Sequence, residues 1–279
     1  MFISHSHSLE DVVVWRALSR ENIRRGYYID VGANDPVNAS VTKGFYDKGY
    51  HGINIEPIRR HFHQLQKQRP RDINLQVAVS NANGVAHFYE NESDELSTII
   101  VGLGQSYRTT YNVKEYDVPT RTLTCICMEY RVREVHFLKI DVEGAEREVL
   151  EGLNLRTIRP WIILTEADKD GESSYQLWEP ILLNNNYHFV YSDGSNRFYV
   201  SDEHPELDKH FRQPPSRGDE FTFSFKRAFI LKLKGERLDH LSPGWIQKML
   251  LSKILKWVVI TVWKTKRLLR GYGFNIPNV

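Results

Sequence analysis

The feature that most constrains the fold is a regular alternation of short apolar runs with amphipathic segments, beginning at Tyr27. The five principal apolar runs are YYIDVGA (27–33), HGINIEP (51–57), INLQVAVS (73–80), VHFLKIDV (135–142) and WIILTEA (161–167). Near-continuous apolar character over such lengths is typical of strands that are covered on both faces of a parallel sheet. Segments 41–48, 59–68 and 145–150 have the pattern of helices. Strands that alternate with helices predict right-handed βαβ units and a doubly wound α/β sheet.

The pattern changes after the fifth run. A helix is predicted over 175–183, and the following stretch YHFVYSDGSNRFYV (187–200) places turn residues between two aromatic-rich runs. This is the composition of a β-hairpin, so the sheet is expected to end in an antiparallel pair. Residues 85–123, between the third and fourth runs, are too long for an ordinary loop and predict a lid or β-insertion over the site. Thr98 in this insertion is a candidate for contact with a substrate.

Composition and charge exclude several classes of protein. The chain has 279 residues, of which 41% are hydrophobic and 26% are charged, so it is expected to be globular rather than disordered or fibrous. A formal net charge of +2 does not indicate a nucleic-acid partner. The N-terminus lacks the basic and apolar regions of a signal peptide, and the two cysteines, Cys125 and Cys127, are too few for a disulfide framework. These observations predict a cytoplasmic protein with reduced thiols.

The domain organisation is predicted from the changes in composition. We expect an N-terminal helix in 1–24, one α/β domain in 25–204 and a Pro- and Gly-rich linker in 205–240. Residues 241–270 contain no acid, seven basic residues and several tryptophans at helical spacing, so 241–279 is predicted to be a basic amphipathic helical extension. Such a helix binds the surface of an anionic membrane, or docks on its own domain or on a second subunit. The sequence leaves open which of these occurs and whether the protein is a homo-oligomer.

Polar residues stand where two of the predicted buried strands end. Asp30, Gly32 and Asn34 close the first run, and Glu56 closes the second. Ligands of doubly wound sheets bind outside the carboxyl ends of the strands, and a glycine there permits a tight turn. An acid at the end of the second strand is the usual acceptor for ribose hydroxyls. The pattern therefore predicts a nucleoside site, with Ser80 after the third run bordering the base.

The choice between a dinucleotide and another nucleoside ligand depends on the glycines that follow Gly32. A dinucleotide-binding fingerprint G-x-G-x-x-G would need glycines where this chain has Asn34 and Val37, so only Gly32 of the three is present. A positively charged sulfonium ligand is compatible with the Asp30 carboxylate, which favours S-adenosylmethionine over a nicotinamide cofactor.

Two motifs resemble those of a known family. IDVGAN (29–34) together with FLKIDVEGAEREVLEGL (137–153) is similar to the FkbM-type methyltransferases, and GINIEP, TRTL and DGSNRFYV extend the resemblance to 27–200. The resemblance implies a Rossmann-like seven-stranded methyltransferase fold whose mostly parallel sheet ends in an antiparallel hairpin. It also implies an S-adenosylmethionine-dependent O-methyltransferase that modifies sugar hydroxyls.

The acceptor side of the site is predicted from further strand ends. Asp141 and Glu143 follow the fourth run and Glu166 follows the fifth, so adjacent strands should bring these carboxylates together. Clustered carboxylates serve as a general base or bind a divalent metal, and Asp141 with Glu166 are the residues expected in either role. Glu143 is either a third catalytic acid or an acid at the start of the helix 145–150. Asn196 and Arg197 in the hairpin are the candidate substrate-binding residues.

The histidines form no metal-binding spacing. We expect His5 and His7 in a mobile terminus and His61 with His63 on an exposed helix. The sequence as a whole predicts an O-methyltransferase acting on a cell-surface polysaccharide or its lipid-linked precursor. The alternatives are a nicotinamide-dependent sugar oxidoreductase and a non-catalytic, membrane-tethered binding module of the same fold.

Overall fold

The structure is a computed structural model that describes residues 1–91, 96–169 and 172–224. The chain divides into two compact units, Met1–Phe221 and Thr222–Val279. The predicted basic helix 241–279 lies outside the described residues, and so does the predicted linker beyond residue 224. Among the helices of the described ranges, none has the length and apolar character needed to cross a bilayer.

The strands and helices alternate as the sequence predicts. The strands are β1 (Phe2–Ser4), β2 (Tyr27–Val31), β3 (His51–Ile55), β4 (Ile73–Leu75), β5 (Ala78–Val79), β6 (Gly84–Asn91), β7 (Val113–Arg121), β8 (Phe137–Ile140), β9 (Ile162–Glu166), β10 (Asp168–Lys169), β11 (Glu172–Ser173), β12 (Tyr187–Ser192), β13 (Asn196–Ser201) and β14 (Phe221–Phe223). The α-helices are α1 (Glu10–Arg20), α2 (Lys43–Asp47), α3 (Arg59–Gln68), α4 (Val101–Tyr107), α5 (Leu123–Glu129), α6 (Glu146–Glu151) and α7 (Glu179–Leu183). Short 3₁₀ helices cover Tyr175–Leu177, Pro205–His210 and Arg217–Asp219.

A seven-stranded sheet forms the centre of the first unit, in the order β12-β13-β9-β8-β2-β3-β4. The five strands β4, β3, β2, β8 and β9 are parallel to one another. Strand β13 is antiparallel to both β9 and β12, because the hairpin returns it between them. The predicted fold class, a mostly parallel sheet that ends in an antiparallel hairpin, is confirmed.

Alternation along the strands builds a different core on each face of this sheet. Ile29, Val31 and Ile140 point to one face, where α5, α6 and α7 cover them. Tyr28 and Phe137 point to the other face, which is covered by α1, α2 and the 3₁₀ segment Pro205–His210. Since both faces are covered, the sheet positions any polar group at the strand ends against a rigid support.

The third apolar run was predicted to form one strand, but it forms two. It divides into β4, which pairs with β3 in the main sheet, and β5, which pairs with β7 in a separate three-stranded sheet of order β5-β7-β6. The chain leaves the main sheet between the two, since β7 offers β5 an alternative edge. Strands β6 and β7 together with α4 form the predicted β-insertion.

The N-terminal segment is anchored, contrary to the expectation of a mobile terminus. The Asp11 carboxylate accepts hydrogen bonds from the Ser4 and Ser6 hydroxyls at 2.8 and 2.6 Å and from the backbone N–H groups of His5 and Ser6. His5 is buried and its Nδ1 lies 3.1 Å from the Val37 carbonyl oxygen. A buried carboxylate that organises its preceding loop therefore fixes residues that we expected to be mobile.

Two other local expectations also differ from the structure. His61 is buried rather than exposed, because it shares the inner face of α3 with Leu65 four residues later. Within the segment predicted as a linker, Leu207 and Phe211 pack in the core beside α1. The folded first unit thus continues past the predicted end at residue 204, to Phe221.

Candidate active site at the carboxyl ends of the strands

Five of the predicted site residues lie on one row across the sheet. The last paired positions of the parallel strands are Val31 with Ile55, Val31 with Ile140, and Ile140 with Thr165. The row consists of the next residue of each of these strands and of the hairpin residue paired with β9, namely Glu56, Gly32, Asp141, Glu166 and Asn196. Neighbouring strands are about 4.8 Å apart, so adjacent members of this row are neighbours in space.

Gly32 is required by the backbone beside it. Its φ is +74°, and a Cβ at this position would overlap the Asp141 carbonyl oxygen. The N–H groups of Gly32 and Ala33 donate to the Ile55 carbonyl at 3.0 and 3.1 Å. The turn after β2 is thereby locked to β3 on one side and to the end of β8 on the other.

Glu56 ties together the two loops that follow β2 and β3. Its Oε2 accepts from the Asn34 N–H and its Oε1 from the Ile58 N–H, both at 2.8 Å. The side chain is buried, and this burial raises the pKa of Glu56 to about 7 although the two hydrogen bonds act in the opposite direction. Each oxygen retains a second lone pair, so the carboxylate can still accept from ligand hydroxyls.

Asp30 lies inside the sheet, two residues before Gly32 and not on the row itself. It is 1% exposed, and its Oδ2 accepts from the Thr42 hydroxyl at 2.7 Å while its Oδ1 lies 3.3 Å from the Lys139 Nζ. We predicted Asp30 as a direct cofactor contact. The structure places it beneath the row, where it pairs with Lys139, and the cofactor contact stays a prediction.

Lys139 is the one buried cation next to this row among the described residues. Its Nζ donates to the Gly32 carbonyl oxygen at 2.6 Å and lies 3.3 Å from both the Asp30 and the Asp141 carboxylates. Burial opposes the charge, but Asp141 and Asp30 outweigh it and raise the pKa of Lys139 above its ordinary value.

Three carboxylates converge at the β8 and β9 end of the row, as the sequence predicts. One oxygen from each of Asp141, Glu143 and Glu166 lies within 4.8 Å of the others, and all three residues are half-buried. An oxygen-only set of this kind suits a hard divalent cation. Such a cation binds about six to eight oxygens, so the three carboxylates would supply only part of its coordination shell.

Glu146 was missed by the sequence analysis and organises the loop that carries two of these acids. It is buried, and its Oε1 accepts from the N–H groups of Val142 and Gly144 at 3.3 and 3.1 Å. Burial raises its pKa. Helix α6 begins at Glu146, so Glu146 and not Glu143 is the acid at the helix start. An acid two residues after a loop glycine was the signal that could have revealed it.

The insertion reaches the same loop. Gly144 has a φ of +102°, and a Cβ there would overlap the Leu103 side chain of α4, so Leu103 lies directly against the Gly144 backbone. Thr98, which we predicted to contact substrate, is buried, and its hydroxyl accepts from the Ile100 N–H at 3.0 Å. Thr98 therefore shapes the start of α4.

Of the remaining predicted residues, Asn196 lies on the row, whereas Arg197 and Ser80 do not. Asn196 is the Cα partner of Glu166, and its side-chain amide donates to Asp193 at 3.1 Å. Arg197 lies 3.9 Å from the ring centres of both Tyr175 and Phe189 and pairs with Glu179. Ser80 is not brought to the row. It packs against Gly152, just past the end of α6, whereas the three carboxylates lie before the start of that helix.

A mixed seven-stranded sheet with a glycine turn after β2, a buried acid after β3 and carboxylates on adjacent strand ends is the arrangement expected of the Rossmann-like methyltransferase class. The chain matches the family described as "Methyltransferase FkbM domain" over residues 30–189, which is more than half of its length. It therefore belongs to the FkbM methyltransferase family. This membership identifies a methyltransferase that uses S-adenosylmethionine and agrees with the absence of the later dinucleotide-binding glycines.

Comparison with solved structures gives a remote likeness. A TehB-like SAM-dependent methyltransferase from Corynebacterium glutamicum is similar at 6% identity with a TM-score of 0.38, over 68% of this chain and 87% of that one. No curated protein sequence matches the chain.

Proposed function

We propose that the protein transfers a methyl group from S-adenosylmethionine to a sugar hydroxyl of a cell-surface polysaccharide of the O-antigen or capsule type, or of its lipid-linked precursor. The observation that carries the proposal is the group of three carboxylates beside the Gly32 turn. A sugar hydroxyl is a weak nucleophile at neutral pH. Its methylation therefore benefits from a carboxylate or a bound cation more than methylation of a softer nucleophile would.

The residues at the β2 and β3 ends fit the cofactor. Glu56 keeps free lone pairs for ribose hydroxyls, and the turn through Gly32 and Asn34 brings backbone close to the ligand. The acids of the row suit a cationic ligand. When bound, S-adenosylmethionine supplies a methyl group already activated by its sulfonium charge.

The chain then has to orient the acceptor and remove its proton. Asp141 is the group proposed to accept the hydroxyl proton or to bind a divalent cation, and Glu166 is the alternative residue for either role. A positioned base contributes about 10²–10⁴-fold to the rate. The insertion, through Leu103 on the loop of Asp141 and Glu143, would exclude water from the reacting oxygen.

The test is incubation of the full chain with S-adenosylmethionine labelled in the methyl group and a panel of neutral, amino and acidic glycans. We expect label in one glycan class, and a decrease of about 100-fold or more for D141N or E166Q. Binding of S-adenosylmethionine with no transfer to any acceptor, and equal behaviour of D141N, would instead support a non-catalytic binding module.

Metal dependence is tested by dialysis against a chelator. If Asp141 and Glu166 hold a divalent cation, chelation abolishes transfer and Mg²⁺ or Mn²⁺ restores it. If Asp141 acts as a base, chelation leaves the rate unchanged.

We also propose that the basic segment 241–270 makes peripheral contact with the inner face of the membrane, where a lipid-linked acceptor would be found. Its charge and tryptophans support this, since each basic residue contributes about 1 kcal/mol near an anionic surface. Deletion of 241–279 is expected to remove binding to anionic vesicles. Unchanged vesicle binding would disprove the contact.

A further inference from the structure

We propose that Lys139 is a positioning residue of the methyl-transfer reaction, which ties the Gly32 turn on the cofactor side to Asp141 on the acceptor side. The inference rests on the proposed function. Lys139 reaches out of the sheet to three oxygens, the Gly32 carbonyl at 2.6 Å and one oxygen each of Asp30 and Asp141 at 3.3 Å. The ammonium therefore donates one hydrogen bond to the Gly32 carbonyl and forms ion pairs with the carboxylates of Asp30 and Asp141.

If Lys139 only stabilised the fold, its contact with the buried Asp30 would be enough, and the contact with Asp141 would not be needed. A buried ion pair contributes little net stability compared with well-packed apolar residues, so Lys139 with Asp30 alone is weak evidence of a stabilising function. The Asp141 side chain is 40% exposed, so water can solvate it without a lysine. The third contact therefore fixes where Asp141 points.

The other partner of Lys139 is held rigidly from behind. Asp30 accepts from Thr42, and the Thr42 hydroxyl lies 3.5 Å from Arg69 Nη1. The fully buried Arg69 donates to the Pro36 carbonyl at 2.6 and 3.1 Å and to the Ser40 hydroxyl at 3.0 Å. This network pins the loop after Gly32 and orients Asp30, so the Lys139 ammonium is held between the Asp30 carboxylate and the two row residues Gly32 and Asp141.

The main test compares K139M, K139R and the double variant D30N/K139M with R16M. Arg16 is the matched control, because it is a buried cation paired with the buried Asp219 at 3.2 Å and no residue of the row contacts it in the described structure. The measurements are melting temperature, affinity for S-adenosylmethionine by calorimetry, and the single-turnover rate of methyl transfer.

For K139M we expect a rate about 100-fold lower, as small misplacements of reacting groups cause. The loss of cofactor affinity should be much smaller, because the Gly32 turn keeps its hydrogen bonds to the Ile55 carbonyl. K139R, which keeps the charge, should recover part of the rate, and R16M should transfer at the wild-type rate per folded molecule. The double variant removes the unpaired Asp30 charge, so it should regain the melting temperature lost in K139M but not the rate.

Two outcomes would overturn the inference. One is a K139M rate equal to that of R16M, and the other is a double variant that regains rate together with stability. If the wild-type protein transfers no methyl group, the proposed function fails. Amide hydrogen exchange of the segments 28–36 and 139–146 then tests whether Lys139 holds these two segments together. Faster exchange of both segments in K139M than in R16M supports the tie, and equal exchange disproves it.

Discussion

At the scale of single residues, Glu56 gives the site a dependence on pH. Its carboxylate has a pKa of about 7, above its ordinary value of 4.5, because it is buried. A group whose pKa is raised in the folded state stabilises the protein less as pH rises, so this contribution declines between about pH 4.5 and 7. The ionised form is the better acceptor for ribose hydroxyls, so ligand affinity should change in the opposite direction.

We therefore predict that affinity for S-adenosylmethionine rises between pH 6 and pH 8, and that E56Q lowers it by about tenfold at pH 8 and removes the pH dependence. Calorimetry across this range is the measurement. Burial also raises the pKa of Glu10 to about 7, and its carboxylate likewise accepts from two backbone N–H groups, those of His7 and Ser8. Glu10, however, begins helix α1 and does not belong to the row. E10Q is thus the control that should keep the wild-type dependence, and a flat profile in E10Q would contradict the assignment to Glu56.

A second residue-scale prediction concerns Gly32. G32A combines a positive φ with overlap on the Asp141 carbonyl, so we expect a loss of about 2–4 kcal/mol in the free energy of unfolding. Gly49 also has a positive φ, of +95°, but open space around it. In urea denaturation, G49A should lower the free energy of unfolding by only about 1 kcal/mol. Equal losses in G32A and G49A would show that the overlap with the Asp141 carbonyl is relieved at no cost.

At the scale of elements, α4 is the part of the insertion that meets the loop 141–145, which carries Asp141 and Glu143. L103A removes the contact with Gly144 and should weaken acceptor binding by about 1 kcal/mol, or roughly fivefold in KM. Cofactor affinity should not change, because Gly144, which Leu103 contacts, lies in the loop after β8 and not in the loops after β2 and β3. V101A is the control on the same helix, since Val101 is 52% exposed. A cofactor defect in L103A would place α4 on the other half of the site.

The strands and their ends could be predicted from sequence, whereas several side-chain partners could not. The row was predictable because parallel strands align their carboxyl ends, which brought Glu56, Asp141 and Glu166 together from three separate motifs. The burial of Asp30 and the fixed position of His5 depend on partners from distant segments, Lys139 and Val37, and no local pattern reports such partners. Strand β5 likewise left the main sheet because β7 offered another edge.

At the scale of the whole first unit, α1 and the segment 205–219 cover the same face of the sheet and are joined by buried charges. Asp219 pairs with Arg16 and Arg20, each at 3.2 Å. D219N should cost about 3 kcal/mol, because it leaves the Arg16 guanidinium buried without its counter-ion. Chemical denaturation is the measurement. E203Q breaks the more exposed pair with Arg159 and should cost less than about 1 kcal/mol. A similar loss in both variants would contradict this account.

The close approach of Gly32 to the Asp141 backbone has an evolutionary consequence. A duplicated gene that had lost methyl transfer would still be held to glycine at this position, because folding alone forbids a larger residue there. Persistence of this glycine among descendants would thus report the geometry of the sheet, whereas substitution of Asp141 or Glu166 is what the proposed chemistry predicts for copies that no longer transfer a methyl group.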